Sequence, residues 1–261
     1  MRIPSALTVV LLTVGLAGCG DSDTPEATPA SPSAAPSVAA PEPAARDELA
    51  GLAALALERR YAARYSFDDG RGTPREVVAA VAQDGTWRVD IPGGALGGSA
   101  GVTIIRVPTG LYQCTLATPA LPVSPTCVRV AEGGDKVPRR YDPGVQRLFR
   151  QWLAVFTDRR AALAVSAVPP LDGAQGACYA VDSVTASLDP PVDVGIYCYA
   201  PDGLLTAAQV DFGVLKLVGQ FAGPATLPLP GPEVAGQPMG MSADPQTVTP
   251  SGSVPTIRAN G

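Results

Sequence analysis

The sequence predicts an α+β fold, a single domain in which an antiparallel sheet is covered by an N-terminal helix and a central amphipathic helix. Three observations predict it. Apolar residues recur at helical spacing over 49–57 and again over 145–156. Most of the remaining middle alternates with a period of two between Asp-Gly and Pro-Gly-type turns. Sequence rich in Pro, Ala and Ser or in Pro and Gly flanks this middle on both sides. The predicted segments are a signal peptide over 1–18, a tether over 19–45, the folded domain over 46–222 and a disordered tail over 223–261.

The elements follow in chain order. Leu49, Leu52, Ala53, Ala56 and Leu57 form one apolar stripe with Glu48, Glu58 and Arg59 outside it. Tyr61, Ala63, Tyr65 and Phe67 then alternate with polar residues up to Asp68-Asp69-Gly70, which reads as a strand and turn. Val77 to Ala82, Asp84-Gly85, and the alternation of Trp87, Val89 and Ile91 make a hairpin. Val102 to Val107 and Leu111 to Leu116 flank Pro108-Thr109-Gly110 as a second hairpin, with a further strand around Cys127 to Val130. Asp142 is placed to cap a long helix with Pro143 at its first position and Val145, Leu148, Phe149, Trp152, Val155 and Phe156 on its apolar face. Asp158 is expected to start another helical piece, Arg159 to Val168, stopped by Pro169-Pro170. Strands resume at Cys178 to Val181, Val194 to Tyr199, Leu204 to Phe212 and Val214 to Val218.

The ends speak to location. A short start bearing Arg2 precedes an apolar run, Ala6 to Leu16, of signal-peptide length and too short to span a bilayer. Removing the first eighteen residues takes away Arg2 and no acid, moving the formal charge from −5 to −6, which argues against a nucleic-acid partner. Four cysteines remain besides Cys19: Cys114, Cys127, Cys178 and Cys198. An even count in an exported chain reads as two disulfides. Three connectivities are possible, and the strand-turn-strand placement of each close pair favours Cys114 with Cys127 and Cys178 with Cys198.

Leu16-Ala17-Gly18-Cys19 resembles the lipobox of bacterial lipoproteins. That resemblance implies cleavage between Gly18 and Cys19, diacylglycerol on the Cys19 sulfur, and a chain held on the extracytoplasmic face of the cell membrane by its acyl chains. The lipobox, the tether, the opening helix, the strands and the crossing helix together are similar to lipoproteins of high-GC Gram-positive bacteria, some of which share the half-open barrel of the LolA and LppX/LprG carriers. The similarity implies a strongly curved sheet, a half-open barrel, with lipid lying between sheet and helices.

Catalysis is not expected. The chain has no histidine, which removes Ser-His-acid and Cys-His systems and the commonest metal ligand. Lys136 and Lys216, the two lysines, sit in a Gly/Pro loop and along a strand. Paired carboxylates could serve glycoside hydrolysis, and Asp68, Asp69, Asp84 and Asp90 are the candidates, but three of them lie in turns that favour Asp for backbone reasons. Asp68-Asp69-Gly70 lacks the spaced oxygen ligands of a calcium loop. Gly93, Gly94, Gly97, Gly98 and Gly101 lead into a strand rather than a helix, so the stretch reads as a mobile loop or a lip over a cavity and not as a phosphate cradle. Tyr112, Tyr179, Tyr197 and Tyr199 are expected to pack beside the disulfides. No cofactor is expected. Two functions fit: carriage of lipid or another apolar ligand in the half-barrel, or a scaffold displayed on a tether for another envelope protein.

Overall fold

The computed structural model describes residues 42–118, 122–132, 136–185 and 190–242. Gly18, Cys19 and the signal peptide lie outside the described residues, as does the tether up to residue 41. Helix α1 is Glu42–Glu58, beginning four residues before the predicted domain boundary at 46, with Pro43 in the first turn where no N–H is needed. Ala45, Leu49, Ala53 and Ala56 are buried along one face.

Eleven strands follow among the described residues. They are β1 (Tyr61–Asp68), β2 (Arg75–Val81), β3 (Trp87–Ala95), β4 (Ala100–Val107), β5 (Gly110–Leu116), β6 (Cys127–Ala131), β7 (Leu163–Val168), β8 (Ala177–Ser183), β9 (Gly195–Tyr199), β10 (Leu205–Val210) and β11 (Gly213–Ala222). They make one antiparallel sheet ordered β6-β5-β4-β3-β2-β1-β11-β10-β9-β8-β7. Two meanders, β1 to β6 and β7 to β11, are therefore joined where β1 pairs with β11, and β6 and β7 form the two edges.

Alternation sorts the side chains to two faces. Tyr65 and Phe67 of β1, Val77 and Ala79 of β2, Val89 and Ile91 of β3, and Tyr197 and Tyr199 of β9 all face one buried core. That core is completed by α1 and by the segment crossing between the meanders. Sequence reasoning made the crossing one long helix, and the structure corrects this. Gly144 takes a left-handed φ of 84°, Val145–Phe149 is a 3₁₀ turn, and Arg150 at φ −140° precedes helix α2, only Gln151–Thr157. Side-chain ties explain the break. Asp142 accepts from the Gly144 N–H at 2.9 Å and from Arg147 at 2.8 Å, while Arg147 also pairs with Asp193 at 3.0 Å. Val145, Leu148, Phe149, Trp152, Leu153 and Phe156 nevertheless all reach the core.

The helical piece expected over Arg159 to Val168 is instead strand β7. Leu163 and Val165 are buried and Ser166 is exposed, a period of two that pairing with β8 enforces. Arg46 of α1 ties this region down, donating to the carbonyls of Leu163 at 2.6 Å and Ala161 at 2.5 Å.

The tail is the larger correction. Expected to be disordered from 223, it follows a bonded path through 242, while 243–261 lie outside the described residues. Its Pro224 carbonyl accepts from Gln83 at 2.9 Å, and Leu227 and Leu229 cover the outer face around Ile105, Tyr112 and the cysteines of β5 and β6. It then runs parallel to the β6 edge, where the Cys127 N–H donates to Pro232 and the Val234 N–H donates to the Cys127 carbonyl. Beyond the edge, the buried Gln113 amide reads both backbone groups of Met239: the Met239 N–H donates to Oε1 at 2.6 Å, and Nε2 donates to the Met239 carbonyl at 3.0 Å. Lack of periodicity signalled disorder because this strap bonds through its backbone and anchors only a few scattered apolar side chains.

Gln113→Ala leaves these backbone groups without partners, and a loss of about 2 kcal/mol in urea unfolding is expected. A loss below about 0.5 kcal/mol would show that the strap contributes nothing there. Five core phenols set the alkaline limit. Burial is the first cause in each case: it pushes Tyr61 to about 12 against the pull of Arg150 and Arg59, pushes Tyr179 to about 12 with help from Glu48, and raises Tyr65, Tyr197 and Tyr199 as well. Because the folded values are raised, this contribution is whole below the ordinary value of 10.0 and is lost as pH climbs toward 12. Phenolate absorbance should therefore appear together with unfolding; ionisation of all tyrosines near pH 10 in a folded chain would contradict this burial.

Candidate functional site

Four turns that are distant in sequence meet at one end of the sheet. They are the β1–β2 turn, the glycine-rich end of β3, the Asp142-Pro143 entry to the crossing segment and the β10–β11 turn, and Met241 of the strap joins them. Together they bound an open cleft of about 580 Å³. Phe67, Ile91, Val145, Phe212 and Met241 supply apolar surface, and Asp69, Arg71, Arg75, Asp142 and Asp211 supply charge.

Arg75 organises this mouth. Its guanidinium donates to Asp69 at 2.5 Å and to the Gly93 carbonyl at 3.0 Å, and lies 5.5 Å from the centre of the Phe67 ring. The glycine is required there: a Cβ on Gly93, which has a φ of 64°, would fall on the Arg75 guanidinium. Gly94 is equally constrained, its Cβ position lying 2.7 Å from the Val102 side chain. The Gly-rich stretch is not the mobile lip that its composition suggests. Leu96 and Gly97 donate their N–H groups to Gly240 and Met241 of the strap, each at 2.9 Å. Asp142 is engaged by Arg147 and Gln146, whereas Asp211 and Arg71 carry charge at the rim with no ion pair among the described residues.

The remaining candidates are spent on structure. Asp68 accepts from the Gly70 N–H and Asp69 from the Arg71 N–H, both closing their own turn. Asp84 accepts from the Thr86 hydroxyl and N–H, and these bonds, the hydroxyl first, hold its carboxyl below the usual range. Asp90 lies between Arg88 and Thr103, and Lys216 pairs with Asp172 at the surface. Lys136 is exposed. No group of three or more metal-ligating side chains is found among the described residues. Sequence reasoning missed Asp193, whose carboxylate takes the Trp152 indole N–H at 2.8 Å as well as Arg147. Burial raises its pKa against the pull of Arg147, and its bonds to Trp152 and Arg147 lock the crossing segment onto the β8–β9 connection.

The disulfides Cys114–Cys127 and Cys178–Cys198 join directly opposed residues of neighbouring strands, with Cα atoms 4.0 Å apart in each. Both lie on the outer face. Tyr112 packs beside the first of them, as expected. Tyr179, Tyr197 and Tyr199 do not pack beside the second: odd and even positions of a strand point to opposite sides, so these rings enter the core while Cys178 and Cys198 face outward.

Set beside known proteins, the chain matches no protein-family model, and no curated protein sequence matches it. Among solved structures, a crystal structure of MucB overlaps 77% of this chain and 66% of its own, at 14% identity and a TM-score of 0.42. The complex of MucA and MucB from Pseudomonas aeruginosa overlaps 70% of this chain and 59% of its own, at 16% identity and a TM-score of 0.26. The chain thus spans less than two thirds of either.

Proposed function

We propose that this chain is an exported lipoprotein, held on the outer face of a membrane through Cys19, whose folded domain works by binding another envelope protein rather than by catalysis or by carrying lipid. One observation carries the choice between binding and carriage. The face of the sheet that α1 and the crossing segment cover, where a carrier of this architecture would keep acyl chains, is filled by side chains. Leu49 and Ala53 of α1, Leu148 and Phe149 of the crossing segment, and Trp152 and Phe156 of α2 are each at most 4% exposed. Arg46 and the Asp142-Arg147-Asp193 network hold those elements in place, so admitting an acyl chain would mean breaking several charge-assisted bonds.

The location rests on separate support. Two disulfides suit an oxidising compartment outside the cytoplasm, and the signal-like start and lipobox precede a stretch rich in Pro, Ala and Ser, a composition that fits a tether. Catalysis has little to work with: the chain lacks histidine, and the mouth cleft presents carboxylates, guanidiniums and aromatic rings but no activated nucleophile. Those groups suit recognition of a polar segment of a protein.

Native mass spectrometry of the Cys19→Ser protein, purified from the soluble fraction, tests cargo. The account expects the mass of the bare polypeptide, and a lipid adduct of fixed stoichiometry would overturn binding in favour of carriage. The anchor is tested separately by growth with a fatty-acid analogue, which should label the wild-type chain and not Cys19→Ser. An unlabelled wild-type chain would remove the anchor whatever the first experiment gave.

A further inference from the structure

The end of the sheet away from the mouth gathers cations that no acid neutralises. Tyr61, Val81, Trp87 and Arg106 stand directly opposite one another across β1 to β4, so their side chains share one face. The first three are core residues, each at most 8% exposed; the fourth is an arginine. Two more guanidiniums reach the same place from the helix ends. Arg60, just past α1, and Arg150, just before α2, both donate to the Leu57 carbonyl, at 3.2 and 3.1 Å, which sets two cations side by side on one neutral oxygen. Burial, and after it repulsion from Arg60 and Arg106, hold the Arg150 guanidinium below its ordinary value, while Tyr61 and Glu58 pull the other way. Neighbouring Arg59 has its acid, Asp202 at 2.5 Å. Among the described residues Arg60, Arg106 and Arg150 have none, and the exposed Glu58 pairs with none of them. The Tyr61 hydroxyl, near Arg150 and in a side chain 6% exposed, also has no hydrogen-bond partner among the described residues.

We infer that Arg60, Arg106, Arg150 and the Tyr61 hydroxyl form an anion site that takes a carboxylate from an acidic segment of a protein partner. The inference rests on the protein-binding reading above and gives it a second contact, at the opposite end of β1 from the mouth, with a defined chemistry. A guanidinium fork matches a carboxylate in geometry, and a partly buried fork gains more from an anion than one in bulk water. Repulsion among the three cations, now unrelieved, is removed when the anion arrives. Placement selects the source of the charge. The three arginines are each only partly exposed, between helix ends and sheet, where a side chain on a narrow segment reaches them more easily than a flat lipid surface does. A chain of formal charge −5 is also repelled as a whole by an anionic bilayer, so attraction is confined to this one spot.

The test is fluorescence anisotropy of a labelled hexaglutamate peptide titrated with the full chain carrying Cys19→Ser, in about 20 mM salt where screening is weak. Saturable binding is expected, and it should weaken as salt rises. Arg106 makes no hydrogen bond or ion pair among the described residues, so Arg106→Gln should weaken the peptide at least about fivefold, and Arg106→Glu should abolish binding, with the melting temperature of each variant that of the parent. Arg160→Gln, which removes an exposed cation elsewhere, should change neither quantity. No saturable binding up to about 1 mM protein would overturn the inference. So would binding that Arg106→Gln leaves unchanged, and so would cosedimentation with phosphatidylglycerol vesicles that depends on Arg106 while the peptide does not bind, since the anion would then be lipid. A failure here leaves the bare mass expected of the Cys19→Ser protein untouched and with it protein binding at the mouth, whereas a lipid adduct in that experiment would remove the reading on which this site rests.

Discussion

The pairing of the first strand with the last holds the two halves of this protein together. Tyr61 to Asp68 of β1 run antiparallel to Val214 to Ala222 of β11, with one irregularity between Arg64 and Tyr65. Each meander could form its hairpins locally, but only this seam makes them one sheet with one continuous core-facing surface. The cost is a loop closure over most of the domain, paid once and growing slowly with length. What offsets it is burial on both sides of the seam: Tyr65, Phe67 and Leu215 are each no more than 4% exposed, and the Tyr65 hydroxyl donates to the Leu205 carbonyl on β10 at 3.0 Å.

Once the core-facing surface is continuous, its occupants follow. Helix α1 and the crossing segment bring small and large apolar side chains to a surface that no single meander could offer, with Arg46 and Asp193 fixing their positions through charge-assisted bonds. The interior is thereby committed to packing. At the surface, the mouth cleft gathers charge and aromatic rings from turns contributed by both meanders. The strap serves both regions, covering the β6 edge and the first disulfide on one face and bonding the glycine-rich loop on the other.

Much of this is legible in the sequence, and the failures have physical causes. The period-two alternation of Tyr61 to Phe67 and the Asp84-Gly85 turn announce β1 and the β2–β3 hairpin because those signals are local. The cysteine pairs are readable for the same reason, each spanning neighbouring strands. Arg159 to Val168 is a short apolar run, which periodicity alone cannot assign, and its pairing with β8 decides the matter. The long central helix fails at Gly144, where side chains remote in sequence, Asp193 among them, outweigh helix propensity. The mouth cleft has no local motif, since Asp69, Gly93, Asp142 and Phe212 meet only after β1 and β11 have paired. The strap's partner, Gln113, is a lone polar residue on an apolar strand, a signal that something polar must meet it without saying what.

Amide hydrogen exchange, followed at low denaturant, tests the seam directly. The account predicts that amides of β1 and β11 are among the last to exchange, and that core amides of both meanders open with the same free energy as global unfolding. If the β2–β5 amides were protected in a unit that stays closed while β8–β10 exchange freely, the two meanders would be separate folding units, and the account of one sheet around one filled core would be contradicted.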